Sequence, residues 1–200
     1  MLTRARFIAG SPRLGREFLA LAHQLTYVQP LTRADLASAR RMRHRIEEER
    51  SKGGPLRDIK TGPGGIVDIE FAVQLAQMVH GRRACTAIAA SSPQRRAPLL
   101  HNPGTLASLE ALARSKHFPA VSARALREGY LFLRRVEAAL ARRDGKKTTA
   151  WPENPKLLAW LATRMDMASA AALVRAQERH RRGVRYAFLR VLQLLQRSLG

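Results

Sequence analysis

The sequence predicts an all-α protein, a bundle of six or seven helices that run mostly antiparallel. Two observations lead to this fold class. Apolar residues recur three and four positions apart in most segments between the glycine and proline breaks, which is helical spacing. Sustained alternation of apolar and polar residues, the pattern of a half-buried strand, is confined to the region near Met1 and the stretch Leu56–Lys60.

The first two helices follow from their apolar spacing and from the residues at their ends. Helix one is expected from Arg13 to Tyr27, with Pro30 ending it. Its apolar residues share one face: Leu14, Phe18, Leu21, Ala22 and Leu25. Helix two is expected from about Arg33 to Arg50, because Thr32 and Asp35 have the spacing of a capping box.

Helix two has a thin apolar stripe and a strongly charged remainder. The stripe consists of Leu36, Ala39, Met42 and Ile46. Arg43 with Glu47 and Arg45 with Glu49 stand four residues apart, so each pair stabilises the helix by roughly 0.2–0.5 kcal/mol. We interpret this segment as a solvated helix, with contact to phosphate as the weaker alternative.

A glycine-rich loop followed at once by a helix is the most distinctive local pattern. Gly62, Pro63, Gly64 and Gly65 exclude a helix or a central strand, so residues 61–65 form a loop. The next helix is expected from about Gly65 to His80, with Gly81 as its C-cap. A loop of this kind can leave the first backbone N–H groups of the helix free to bind an anion.

Acidic and basic side chains flank this loop. Asp58 and Lys60 are two residues apart, which would put both on one face of a strand. Asp68 and Glu70 diverge by roughly 200° in a helix, so they share a pocket only at the helix end. Spacing alone favours a tight connection between loop and helix. In this interpretation the carboxylates of Asp68 and Glu70 interact favourably with the positive, N-terminal end of the helix dipole. The loop lacks the Gly-Lys-Ser/Thr of a P-loop and the dinucleotide fingerprint.

The second half of the chain predicts further helices. Residues 82–103 are the least regular, with a short helix expected at Cys85–Ala90. The later helices are expected at Thr105–Arg114, from an N-cap at Ser122 to about Arg143, at Lys156–Arg164 and from Ser169 to about Leu199. Glu137 stands in an apolar stripe, where pairing with an arginine such as Arg134 is favoured over catalysis. His180 is interpreted as a histidine at the edge of the core.

The charge of the chain is unusual. Its net charge is +21, and only 6 of its 36 basic residues are lysines, which leaves 30 arginines. Such a charge attracts nucleic acid, acidic proteins or phosphorylated ligands. An arginine bias spread over solvated helix faces is slightly favoured, because the basic residues recur in every predicted helix.

Cysteine usage and apolar runs limit the class of protein. A single cysteine excludes an internal disulfide framework. There is neither an apolar run of about 18 residues nor an apolar segment of signal-peptide length. These observations favour a cytoplasmic protein without membrane contact. Paired-histidine spacing and cysteine clusters are also absent from the sequence, so no zinc site is predicted.

A resemblance changes the interpretation of the glycine-rich loop. The segment from Arg57 to Gln74, RDIKTGPGGIVDIEFAVQ, resembles the signature that follows the nucleotidyltransferase core in bacterial glutamine synthetase adenylyltransferases. The segments 5–12, 130–137 and 144–152 also resemble that family, in the same order and at similar distances. The helix and loop from Tyr130 to Pro152 are closer to the first half of the family's enzymes, the half used for AMP removal.

The resemblance implies a function and a division of the chain. It implies AMP transfer from ATP to glutamine synthetase, and AMP removal, by a core that uses Mg and ATP. That core holds metal on an Asp-x-Asp pair after Gly-Ser, and this sequence contains no such pair. We therefore expect residues 1–12 to be a remnant of the segment leaving a missing core and residues 13–200 to be the helical domain. No catalytic or metal-ligating residue is assigned, and this chain alone is expected to bind no cofactor.

The resemblance also implies candidate contacts and partners. The candidates for contact with a nucleotide or a partner are Arg6, Asp58, Lys60, Gly62, Gly64, Gly65, Asp68 and Glu70. The expected partners are glutamine synthetase and a nucleotidyltransferase core domain. Two other hypotheses stay open: a basic module that binds nucleic acid, which is less favoured because few aromatic residues are available for base stacking, and a structural bundle without a ligand.

Overall fold

The computed structural model describes residues 2–28, 31–50, 58–89, 102–146 and 148–199, with backbone alone at position 28 and positions 82–89. Seven α-helices occur in these ranges and strands do not, which confirms the all-α class. The helices are α1 (Pro12–His23), α2 (Arg33–Arg50), α3 (Ile66–Ala89), α4 (Thr105–Arg114), α5 (Ala120–Asp144), α6 (Pro155–Arg164) and α7 (Ala170–Ser198). A 3₁₀ turn spans Leu2–Arg4, and a π-helical turn, Gln24–Val28, extends α1.

Local sequence explains several helix ends. In the capping box of α2, the Asp35 amide donates to Thr32 Oγ1 at 3.1 Å and the Thr32 amide donates to Asp35 Oδ2 at 2.9 Å. Asn154 and Ser169 cap α6 and α7 with their side-chain oxygens. Gly145 ends α5 in the left-handed conformation.

Two predicted helix ends are wrong. Gly81 does not end α3, which continues to Ala89 and absorbs the short helix expected at Cys85. A glycine inside a helix costs about 1 kcal/mol relative to alanine but does not by itself end the helix. Ser122 is not the N-cap of α5, because the helix begins at Ala120 after Pro119 and Ser122 is buried in the first turn. The predicted stop at Pro30 lies outside the described residues.

The core lies where α5, α7 and α3 pack together. Helix α5 contributes Leu126, Leu133, Val136 and Leu140, and α7 contributes Leu173, Val184, Phe188, Val191 and Leu195. Gly129 allows the close approach of α5 and α7, because a Cβ atom there would overlap Val184 Cγ2. His180 is half-buried at the edge of this core and stacks on Phe132 at 4.6 Å between ring centroids.

The N-terminal helix α1 differs from the core helices in that most of its apolar face is exposed. Ala22 of α1 is buried, whereas the other apolar residues of its predicted face are about half exposed: Leu14, Phe18, Leu21 and Leu25. Phe7 lies against Gly15, and its neighbour Ile8 is 80% exposed. The helical prediction is confirmed here, but most of the apolar face is uncovered by the described part of the chain.

Candidate functional site

The signature loop is the backbone turn between Asp58 and Ile66. It is fixed at its start by Asp58, whose Oδ1 accepts hydrogen bonds from the amides of Lys60 (2.8 Å) and Thr61 (2.7 Å). Asp58 Oδ2 accepts a bond from Thr149 Oγ1 at 2.8 Å, and an isolated β-bridge joins Asp58 to Ala150. The loop is thus tied to the segment that follows α5, a contact between positions 91 residues apart.

The backbone donors of the loop are used within the chain. The amides of Gly65, Ile66, Val67 and Asp68 donate to the carbonyl oxygens of Gly62, Ile59, Lys60 and Gly65 at 2.9–3.1 Å. The Gly64 amide donates to Asp68 Oδ2 at 2.7 Å. The expectation of free amides at the start of α3 is therefore wrong, because the loop and Asp68 supply the acceptors that an anion would otherwise provide.

Two of the glycines are required by close backbone contacts. Gly64 has a φ of +74°, and a Cβ atom there would overlap the carbonyl oxygen of Arg181 in α7. A Cβ atom on Gly65 would lie 2.7 Å from the carbonyl oxygen of Lys60. Gly62, Gly64 and Gly65 are all buried, so the loop packs under α7 and most of it is closed to solvent.

Asp68 lies at the centre of a largely buried ion cluster, which we call the Asp68 cluster: Arg43, Glu47, Asp68 and Arg185. Arg43 Nε donates to Asp68 Oδ1 at 2.6 Å, and Arg43 Nη2 donates to the Gly62 carbonyl at 3.0 Å. Arg185 Nη1 lies 3.1 Å from Asp68 Oδ2 and also binds Glu47. Glu47 contacts Arg43 as well, at 3.2 Å. Two guanidinium groups and two carboxylates therefore balance in charge.

Burial makes this cluster energetically important. Asp68 is fully buried and Arg43 is 1% exposed, so removing one partner leaves a buried charge uncompensated. Burial acts to lower the pKa of Arg185, but the charges of Asp68 and Glu47 outweigh it and hold that pKa above its ordinary value. The interpretation of α2 as a solvated helix is wrong at Arg43, because this side chain connects α2 to α3 and, through Asp68, to α7.

Glu70 belongs to a second, more open group. Its Oε1 is 2.9 Å from Arg4 Nη1 and 3.2 Å from Arg134 Nη2. Arg134 also donates to Glu137 at 2.6 Å, which confirms the predicted pairing of Glu137 with an arginine. As expected from their spacing, Asp68 and Glu70 point into different clusters and do not share a pocket.

The remaining candidate residues are distributed unevenly. Lys60 and Arg6 are exposed, and Arg4 of the same segment, not Arg6, binds the acidic residue of α3. Sequence reasoning identified both carboxylates but missed Arg43, Arg185 and Arg4 as their partners. The pairing of Arg43 with Glu47 was visible in the sequence, whereas the contacts to α3 and α7 needed the tertiary packing.

The acidic groups of the described residues do not fit a metal–nucleotide centre. They include no group of three histidine, cysteine, aspartate or glutamate side chains that could hold a metal ion. Of the three acidic residues of the signature, Asp68 and Glu70 are each bound by two arginines, and Asp58 accepts hydrogen bonds from two amides and from Thr149. Asp68 and Glu70 are therefore structural ligands for guanidinium groups.

The matches to known proteins cover most of the helices described above and the signature loop. The model of a family described as GlnD PII-uridylyltransferase matches residues 40–192, which include the second half of α2, the signature loop and most of α7. The chain belongs to this family. Within it, the resemblance to glutamine synthetase adenylyltransferases is confirmed by relatives that match over most of the chain.

These relatives carry the same enzyme name. The chain is 33% identical to the bifunctional glutamine synthetase adenylyltransferase/adenylyl-removing enzyme of Streptomyces coelicolor over 92% of its length, which is 17% of that protein. The enzyme of Nitrosococcus oceani is 32% identical over 94% of this chain, which is 18% of that protein. The enzyme of Xanthomonas campestris pv. campestris is 33% identical over 94% of this chain, which is 19% of that protein. The chain therefore spans less than one fifth of the length of these relatives.

Proposed function

We propose that these 200 residues act as the helical domain of a glutamine synthetase adenylyltransferase/adenylyl-removing enzyme. In this role the domain lies beside a nucleotidyltransferase core, and AMP is transferred from ATP to glutamine synthetase or removed from it at the core. The observation that carries the proposal is the match to such enzymes over more than nine tenths of this chain.

The geometry supports a positioning role for the signature segment. The loop is bonded to Arg43 of α2 and to Thr149 after α5, and at Gly64 it packs closely against the Arg181 carbonyl of α7. Lys60 projects to solvent from this rigid turn. A rigid loop with an exposed cation suits contact with a nucleotide or a protein surface, and we assign Lys60 that contact within the assembled enzyme.

The same geometry supports a lack of independent catalysis. The buried carboxylate of the signature is saturated by Arg43, Arg185 and the Gly64 amide. The sequence also lacks a Gly-Ser pair that is followed by Asp-x-Asp, the pattern of the family's metal site. We infer that magnesium and ATP are used by the core, and that this chain alone does not transfer AMP.

Glutamine synthetase and the core domain are the proposed partners, and the cytoplasm is the proposed location. Within the described residues no helix has the length and apolar character needed to cross a membrane. Residues 1–12 are proposed to connect to the core, with residues 13–200 forming the domain.

The test is an AMP-transfer assay with the purified chain, glutamine synthetase, magnesium and labelled ATP. The Streptomyces coelicolor relative serves as the positive control. We expect label on glutamine synthetase with the relative and none with this chain. Magnesium-dependent labelling by the chain, at a rate within about tenfold of the relative, would show that the carboxylates of the chain support catalysis.

A further inference from the structure

A groove between α2 and α7 has features of a binding site that the proposed function does not use. It consists of two adjoining cavities of about 250 and 350 Å³, which share Arg40, Leu189 and Leu192. Together they approach the size of typical small-molecule sites. The groove lies on the side of α2 that faces α7, and its wall includes three members of the Asp68 cluster, Arg43, Arg185 and the carboxylate of Glu47.

One end of the groove carries an excess of positive charge. Its walls include Arg40, Arg41 and His44 of α2. Because Arg43 and Arg185 are balanced by Asp68 and Glu47, the charges of Arg40 and Arg41 remain uncompensated: neither has an ion-pair partner within the described parts of the chain. His44 faces Glu48 at 3.8 Å, on the exposed surface of α2.

A buried donor at the same end is also unused. Arg43 Nη1 is buried and has no hydrogen-bond partner among the described residues. A buried, unpaired guanidinium N–H group is costly, and an acceptor with several oxygen atoms would satisfy it. Arginines close together on one wall are typical of sites for phosphate, which takes hydrogen bonds from planar guanidinium groups.

The other end of the groove combines leucines with polar side chains, which include a third arginine, the exposed Arg33 of α2. Leu36 and Leu192 are buried, and Leu189 is 39% exposed. Gln193 and Gln196 of α7 line the same cavity. A ligand that spans both cavities would place a phosphate among the arginines and an apolar or aromatic group on the leucines, with the glutamines available as hydrogen-bond donors and acceptors.

We propose that the α2–α7 groove binds a phosphate monoester that carries an apolar or aromatic group. The proposal is independent of AMP transfer, because it uses neither the signature loop nor a core domain. It gives the excess positive charge of this face a specific ligand, in place of general attraction to polyanions.

The test is titration calorimetry on the intact chain with three probes: AMP, glucose 6-phosphate and inorganic phosphate. AMP is expected to bind several-fold more tightly than glucose 6-phosphate, and inorganic phosphate to compete with it. The double variant Arg40→Gln/Arg41→Gln should weaken AMP binding by about tenfold or more, since each lost charged hydrogen bond is substantial. Both side chains are exposed, so circular dichroism should show an unchanged fold.

A matched control removes the same charge elsewhere. Arg16 and Arg175 are exposed and lie outside the groove, so Arg16→Gln/Arg175→Gln should change AMP affinity by less than about twofold. Leu189→Ser should lower the affinity for AMP while leaving that for inorganic phosphate unchanged. The proposal is overturned if no probe binds at millimolar concentration, if both double variants weaken AMP equally, or if AMP shows no preference over glucose 6-phosphate.

Discussion

The signature loop and helix α1 differ in what covers them. The loop is rich in glycine and carries charged neighbours, yet three of its glycines are buried and its amides bind acceptors within the chain. Helix α1 has an apolar face, yet Phe18 and Leu21 are more than half exposed. Polar groups thus lie inside where Arg43 and Arg185 provide partners, and apolar groups lie outside where the described residues provide none.

This difference shows that a side chain is buried where neighbouring residues provide suitable contacts for it. A buried carboxylate is stable when guanidinium groups and amides surround it, as they do at Asp68. An exposed apolar face costs little in the free chain but favours association with another surface. Four predictions test this comparison, in order of decreasing effect.

The largest effect is expected at Asp68. Asp68→Asn removes the charge that holds Arg43 and Arg185 and should lower the free energy of unfolding by about 3–5 kcal/mol. Denaturant unfolding measures it, with the exposed Glu48→Gln as a control of less than about 0.5 kcal/mol. Equal effects of the two substitutions would mean that the Asp68 cluster does not stabilise the loop.

Gly64→Ala should have the next effect, about 2–3 kcal/mol, from a strained backbone and overlap with the Arg181 carbonyl. Gly145 offers a matched control, because its φ is also positive, at +65°, and nothing lies within 4 Å of a Cβ atom there. Gly145→Ala should cost about 1 kcal/mol. If the two variants unfold at the same denaturant concentration, the close approach of the loop to α7 is not formed in solution.

A smaller effect is expected where the loop contacts the segment after α5. Thr149→Val removes the bond to Asp58 and should cost about 1 kcal/mol. Hydrogen exchange of the Lys60 and Thr61 amides should become faster, while Thr148→Val, its neighbour, leaves them unchanged. Unchanged exchange in Thr149→Val would show that Asp58 holds this turn without Thr149.

The smallest effect is expected on α1. Phe18→Ser and Leu21→Ser should each change the free energy of unfolding by less than about 0.5 kcal/mol, because both side chains are already exposed. They should reduce binding of a dye that reports apolar surface. The buried Leu133→Ala supplies the contrast, with a cost of about 2–5 kcal/mol. A cost near that of Leu133→Ala would mean that the α1 face is covered in solution.

Helices α5 and α2 show how much of the fold could be predicted from the sequence. The periodicity of Leu126, Leu133 and Leu140 predicted both the helix and its buried face, and the spacing of Thr32 and Asp35 predicted a helix start. These patterns could be predicted because the interactions that form each element are made by residues close together in the sequence.

Contacts between distant segments could not be predicted from the sequence. Asp68 meets Arg185 across 117 positions and Glu70 meets Arg134 across 64. Each of the 30 arginines was an equal candidate for those contacts. The apolar face of α1 was predicted from the same spacing that predicts a core helix, since the pattern specifies a face but not its covering.

The most direct test of the proposed role is a chimera. The region of the Streptomyces coelicolor enzyme that aligns with this chain is replaced by the chain, and AMP transfer to and removal from glutamine synthetase are measured. A control chimera receives the aligned region of the Nitrosococcus oceani enzyme. We predict activity in both chimeras, and its loss from ours on Asp68→Asn. A folded chimera with this chain that is inactive, beside an active control, would contradict the account.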